Sequence, residues 1–143
     1  MCLPLYVASP RPFVGAPPSP LQIAVADPAT TRALRGTFAN GHVARVTVDG
    51  CSCAFPSVAS DGPVEYFDGL LGDATQRAVA ASHTQALLQL VERSIAPGEH
   101  AEVFPVWIGH EAEGVKGSID TSLAAIDPES FCFAESHLYR MRA

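Results

Sequence analysis

The sequence contains no apolar run approaching the roughly 20 residues that a transmembrane helix needs. It has no basic cluster either: 9 Lys and Arg are scattered among 15 Asp and Glu, for a net charge of −6. Releasing counterions from phosphates requires grouped cations, so neither nucleic acid nor an anionic membrane surface is an expected partner. A glycine-rich phosphate loop, a G-x-S-x-G nucleophile elbow and an H-E-x-x-H metal helix are all missing. The usual motif arguments for an enzyme are thereby removed, and no residue is assigned a catalytic role. Residues 1–9 lack the positive segment of a secretory signal and are interrupted by Pro4, so they read as a strand of the mature protein. The expected compartment is a reducing cytoplasm, with the four cysteines as thiols.

What is present suits one ordinary globular domain spanning residues 1–143. A chain of that length buries roughly two thirds of its unfolded surface and needs no disulfide or metal staple. Apolar segments at residues 3–9 and 21–26 read as strands. They flank a stretch carrying Pro10, Pro12, Pro17, Pro18 and Pro20, which is extended because proline fixes φ and lacks a donor. Asp27-Pro28 is a helix start, with a short helix to about residue 35. Residues 42–48 are β-branched and form a strand. Asp73 and Gln76 resemble a capping box, and Ala80, Thr84, Leu87, Leu88, Val91 and Ile95 then recur at helical spacing. A long helix over about 73–95 follows, ended by Pro97-Gly98. Residues 99–108 read as a strand apolar on both faces, with Pro105 requiring a bulge or an edge. Asp120 reads as the cap of one further helical turn, and a last strand is expected from about 130 to 141. The fold class is therefore α+β: an antiparallel sheet of five or six strands, one long helix packed on it, and one or two short helices.

The segment Asp49-Gly50-Cys51-Ser52-Cys53-Ala54-Phe55 carries two thiols behind a tight-turn dipeptide. A two-residue turn there sets Val48 opposite Cys51, Val46 opposite Cys53 and Ala44 opposite Phe55. One face then holds only apolar or thiol side chains, so the cysteines are expected to pack in the core. A disulfide within the pair is disfavoured, because alternate strand residues lie about 6.8 Å apart at Cα. The competing reading is a metal or redox-active thiol site: Cys51 and Cys53 supply two of the usual four zinc ligands, with Cys2, Cys132 or His42 completing the set. No second close pair, as in a zinc ribbon, supports it.

A second candidate site is the stretch Trp107-Ile108-Gly109-His110-Glu111-Ala112-Glu113-Gly114. Trp107, His110, Glu111 and Glu113 combine an aromatic, an imidazole and two carboxylates, a set suited to cation binding or proton transfer. The plainer alternative is a solvated loop. Glu135, His137 and Tyr139 alternate along the last strand and are expected to share a face with Phe131 and Phe133.

Several of these pieces together resemble a family of small bacterial proteins of uncharacterised function. They are Met1-Cys2 with Leu5-Tyr6, the Gly50-Cys51-Ser52-Cys53-Ala54-Phe55 segment, Trp107-x-Gly109-x-Glu111, and Phe131-x-Phe133-x-Glu135 with Tyr139. That family usually has glycine where this chain has Ser52 and Ala54. The resemblance implies a shared fold and a bacterial origin and supplies no activity. The expected role is a non-catalytic interaction or accessory domain, a homodimer through a sheet edge or face. The alternative is a metal-binding or thiol-redox protein using Cys51 and Cys53.

Overall fold

A computed structural model of the chain describes residues 3–50, 55–59 and 73–143. Among the described residues the strands are β1 (Leu5–Ser9), β2 (Leu21–Val25), β3 (His42–Val48), β4 (Ser57–Val58), β5 (His100–Pro105), β6 (Gly117–Ser122), β7 (Phe133–Ala134) and β8 (His137–Arg142). The described helices are α1 (Pro28–Ala33) and α2 (Ala74–Ser94), with 3₁₀ turns at Glu111–Glu113 and Leu123–Ala125. Six strands form one sheet in the order β2-β3-β1-β5-β8-β6, and β4 and β7 form a separate parallel pair. The fold is α+β, as its sequence pattern predicts.

All five residues of β1 are buried, which demands cover on both faces and neighbours on both sides. It pairs antiparallel with β3 (Leu5 opposite Val46) and with β5 (Leu5 opposite Pro105). On one face Leu5, Val7, Val46, Val48, Val103, Tyr139 and Met141 pack against Leu87, Leu90 and Val91 of α2. Burying a side chain such as Leu87 completely contributes roughly 2 kcal/mol. Asp73 starts that helix by accepting a bond from Gln76 N at 2.9 Å. At the other end Ser9 donates from Oγ to the Ser94 carbonyl at 2.7 Å, tying β1 to the last turn. The opposite face buries Tyr6, Phe104, Val106 and Leu138 beneath Leu34, with Phe38 and Val115 at the margin. Asp27 caps α1 by accepting from Ala29 N and Thr30 N, with Pro28 in the first turn.

Several expectations need correction. β6 runs parallel to β8 (Gly117 opposite His137 through Ser122 opposite Arg142), so the sheet is mostly, not wholly, antiparallel. Residues 123–136 provide the crossover that a parallel pair requires. Asp120 lies within β6 and caps nothing; Arg142 lies 3.3 Å and Arg140 3.9 Å from its carboxylate. Pairing with β8 overrides its local helix-start preference, and the helical turn begins only at Leu123. The last strand is broken at Glu135 and Ser136, where Ser136 takes a left-handed φ of 60°. Finally, Ala44 and Val46 already face Val7 and Leu5 of β1 on one side and Val25 and Ile23 of β2 on the other. The register that would set them opposite Phe55 and Cys53 has no open side left. Asp49 and Gly50 do form a turn with positive φ (51° and 78°), and Phe55 is buried. From there the chain runs beside β7, where Phe133 N donates to Pro56 O at 2.7 Å.

Pro105 is accommodated without a bulge. It is the last residue of β5, beyond the stretch that pairs with β8, so its missing N–H interrupts no ladder.

Candidate interaction surface

The residues singled out after β5 do gather in one loop, and the loop satisfies itself. Trp107 is half-buried, and its Nε1 donates to Glu135 Oε2 at 2.9 Å. Glu111 Oε2 accepts from Gly109 N at 2.8 Å, folding that carboxylate back on its own turn. His110 Nδ1 lies 2.7 Å from Glu113 Oε1, and both side chains are at least half exposed, where such a pair is worth under about 1 kcal/mol. A His–carboxylate pair orients an imidazole; among the described residues Glu113 is the partner shown for this ring. Besides Trp107, which reaches Glu135, Glu111 also acts beyond the loop. It adds to burial in pushing the Tyr6 phenol up to about 12. Nearby, Thr30 Oγ1 donates to Asp27 Oδ2 at 2.6 Å within the first turn of α1.

The proposed thiol set is only partly in view. Cys2, Cys51 and Cys53 lie outside the described residues. Cys132 is wholly buried and lies close enough to Tyr139 to influence it electrostatically. Among the described residues no three His, Cys, Asp or Glu side chains form a metal-sized group. Glu135, His137 and Tyr139 do not form one polar face. His137 turns its Nδ1 to the Glu135 carbonyl at 3.0 Å, while the Tyr139 hydroxyl accepts from Ala134 N at 2.6 Å among the rings of Phe131 and Phe133.

One buried carboxylate escaped sequence reasoning. Glu102 is 1% exposed in β5, and its oxygens accept from Ala39 N (3.0 and 3.1 Å) and Asn40 N (2.9 Å). The Asn40 side chain then donates to His100 O at 3.0 Å, so this turn is clamped onto the sheet. The available signal was a single acid inside Ala101-Glu102-Val103-Phe104, a run covered on both faces, where a carboxylate must find donors.

The two edges of the sheet differ in chemistry. β6 carries Asp120 with its arginine partners and is a charged edge. β2, Leu-Gln-Ile-Ala-Val, has no ionisable residue. Gln22, Ala24 and Val25 are exposed, and Val25 is 89% so. Gln22 Oε1 accepts from Gly50 N at 2.9 Å, which anchors the strand to the turn after β3. Beside it the proline-rich arm presents Val14, 90% exposed, at a cleft of about 120 Å³ shared with Phe13, Ile23 and Leu90. A larger cleft of about 430 Å³ near the start of α2 is lined by Ala74, Arg77, Asp127 and Glu129, not by the loop after β5. Among the described residues no helix is long and apolar enough to cross a membrane. No family model, curated protein or solved structure matches the chain.

Proposed function

We propose that this chain is a non-catalytic interaction or accessory domain of a bacterial cytoplasm, working through the edge of its sheet. The observation that carries the reading is the contrast between two surfaces. In the loop after β5 the Trp107, His110, Glu111 and Glu113 side chains each bond within the loop or to Glu135. At β2 an uncharged strand ends the sheet, and the outward row of its backbone meets no described strand. A row of that kind holds another chain by main-chain bonding.

The test is a heteronuclear NMR spectrum of the untagged chain, followed on dilution and, separately, on addition of zinc. An interaction domain shows shifts confined to one surface patch on dilution and none at stoichiometric zinc. Unchanged spectra on dilution, with zinc-dependent shifts at the cysteines or at His110 and Glu113, would replace this reading with the metal-binding one that Cys51 and Cys53 suggest.

A further inference from the structure

The structure assigns a partner to that edge: we propose that β2 docks against β2 of a second copy of this chain, antiparallel, about a two-fold axis through Ile23. The proposal rests on the interaction-domain reading and names its partner and register.

The backbone specifies the class of occupant. Among the described residues β2 is the terminal strand, bonded on one side to β3; Leu21 N already donates to Pro18 O at 2.8 Å, and an extended strand is what suits the outward N–H and C=O groups that remain. Proteins that must keep such an edge single place a charge, a proline or a bulge in it. β2 has none of the three: its pairing with β3 runs without interruption from Leu21 opposite Val48 to Val25 opposite Ala44, and it contains no charge and no proline. The opposite edge, β6, carries the charge of Asp120.

Self-pairing follows from the side chains. With Ile23 on the axis, Leu21 meets Val25 and Gln22 meets Ala24 of the other copy. Beyond the strand, Pro20 meets Ala26 and Ser19 meets Asp27, so no ionisable residue faces its like. Two copies of a chain with net charge −6 repel one another, and a neutral strip is where they can meet without opposing like charges. The same neutrality gives an acidic or basic foreign peptide nothing to pair with. Pro20 and Pro28 lack amide hydrogens and confine the main-chain contact to residues 21–27, the five of β2 and the two after them. Val25 and Val14, both about nine-tenths exposed, lie beside that strip. An interface so short falls below the size of permanent dimers, which sets the dissociation constant on the order of 10–100 µM.

Sedimentation equilibrium of the full chain from about 5 to 500 µM spans that range. The expected result is reversible dimerisation. Val25→Lys, at an exposed position that leaves the core intact, raises the dissociation constant about tenfold or more, because a lysine replaces an apolar cross-strand contact. Opposed residues of an antiparallel pair stand about 4.5–5.5 Å apart at Cα, within disulfide range. Oxidised Ile23→Cys protein should therefore give a peptide in which residue 23 is linked to residue 23. A dimer indifferent to Val25→Lys and without that link overturns this edge while the interaction reading survives. A monomer at every concentration overturns both.

Discussion

Alkaline titration probes the packing on both faces of the sheet at once. Tyr6 is 2% exposed and Tyr139 is 0% exposed, and each phenol is pushed up to about 12. Burial is the main cause in both. The Glu111 carboxylate reinforces it at Tyr6, and at Tyr139 the bond from Ala134 N opposes it. In the unfolded chain each phenol ionises near pH 10. Below that pH both states hold the proton and neither tyrosine contributes a pH dependence. Above it the unfolded state loses protons that the native state retains, so stability falls as pH rises from about 10 to 12. Each phenol lowers stability by roughly 1.4 kcal/mol at pH 11, so the pair together removes about 3 kcal/mol from a total that is typically 5–15 kcal/mol. The assay follows phenolate absorbance at 295 nm and far-ultraviolet dichroism on one sample. The chain has three tyrosines, and Tyr66 lies outside the described residues. At most about a third of the phenolate signal should appear before the dichroism changes, and the rest should appear with unfolding. Tyr6→Phe and Tyr139→Phe should each remove about half of the steep pH dependence. Two or more phenols ionising reversibly near pH 10 with the dichroism unchanged would refute the burial argument.

Three further outcomes follow from single contacts. Glu102→Ala leaves the Ala39 and Asn40 amides without their acceptor and should cost about 2–4 kcal/mol in urea unfolding, and Glu102→Gln less, since one oxygen remains; a loss below about 0.5 kcal/mol for the alanine variant would mean the clamp is dispensable. A Cβ at Gly117 would lie 2.8 Å from Cδ2 of the buried His137 ring, so Gly117→Ala should destabilise by about 1–3 kcal/mol, whereas Gly41→Ala, with open space around its Cβ, should not; equal midpoints for the two variants would contradict that packing. Cys132 is fully buried and should resist an aqueous thiol reagent until the protein unfolds, so native labelling found by peptide mass at residue 132 would show that the core there opens.

Local signals located most elements because they are short-range. Asp27 and Asp73 sit at helix starts for the reason their side chains suggest: each accepts a backbone N–H that the helix cannot satisfy. The alternation Ala44, Val46, Val48 against Val43, Arg45, Thr47 sorts the faces of β3 whatever its neighbours are. Neighbour identity is another matter. The turn at Asp49-Gly50 forms, yet β3 is flanked by β1 and β2, so a hairpin rule that considers only adjacent segments assigns the wrong partner to Val46. Ser136 breaks what reads as one continuous strand, because the parallel β4–β7 contact and the Trp107–Glu135 bond draw the chain aside at a point no local pattern marks. In the candidate site, the loop holding Trp107, His110, Glu111 and Glu113 was legible as a cluster. That its groups would be consumed among themselves and by Glu135 was not.

The amino-acid sequence by itself determined the class of fold, the extent of α2 and its buried stripe, and the lack of charge along residues 21–25, since each depends on the identity and spacing of nearby residues. Only the tertiary structure decided that β2 ends the sheet, that β6 lies parallel to β8, and that Glu102 is enclosed by the amides of a turn 62 residues away. Strand order and long-range bonding arise from which surfaces the whole chain can bury together, and that competition is settled only once every segment is in place.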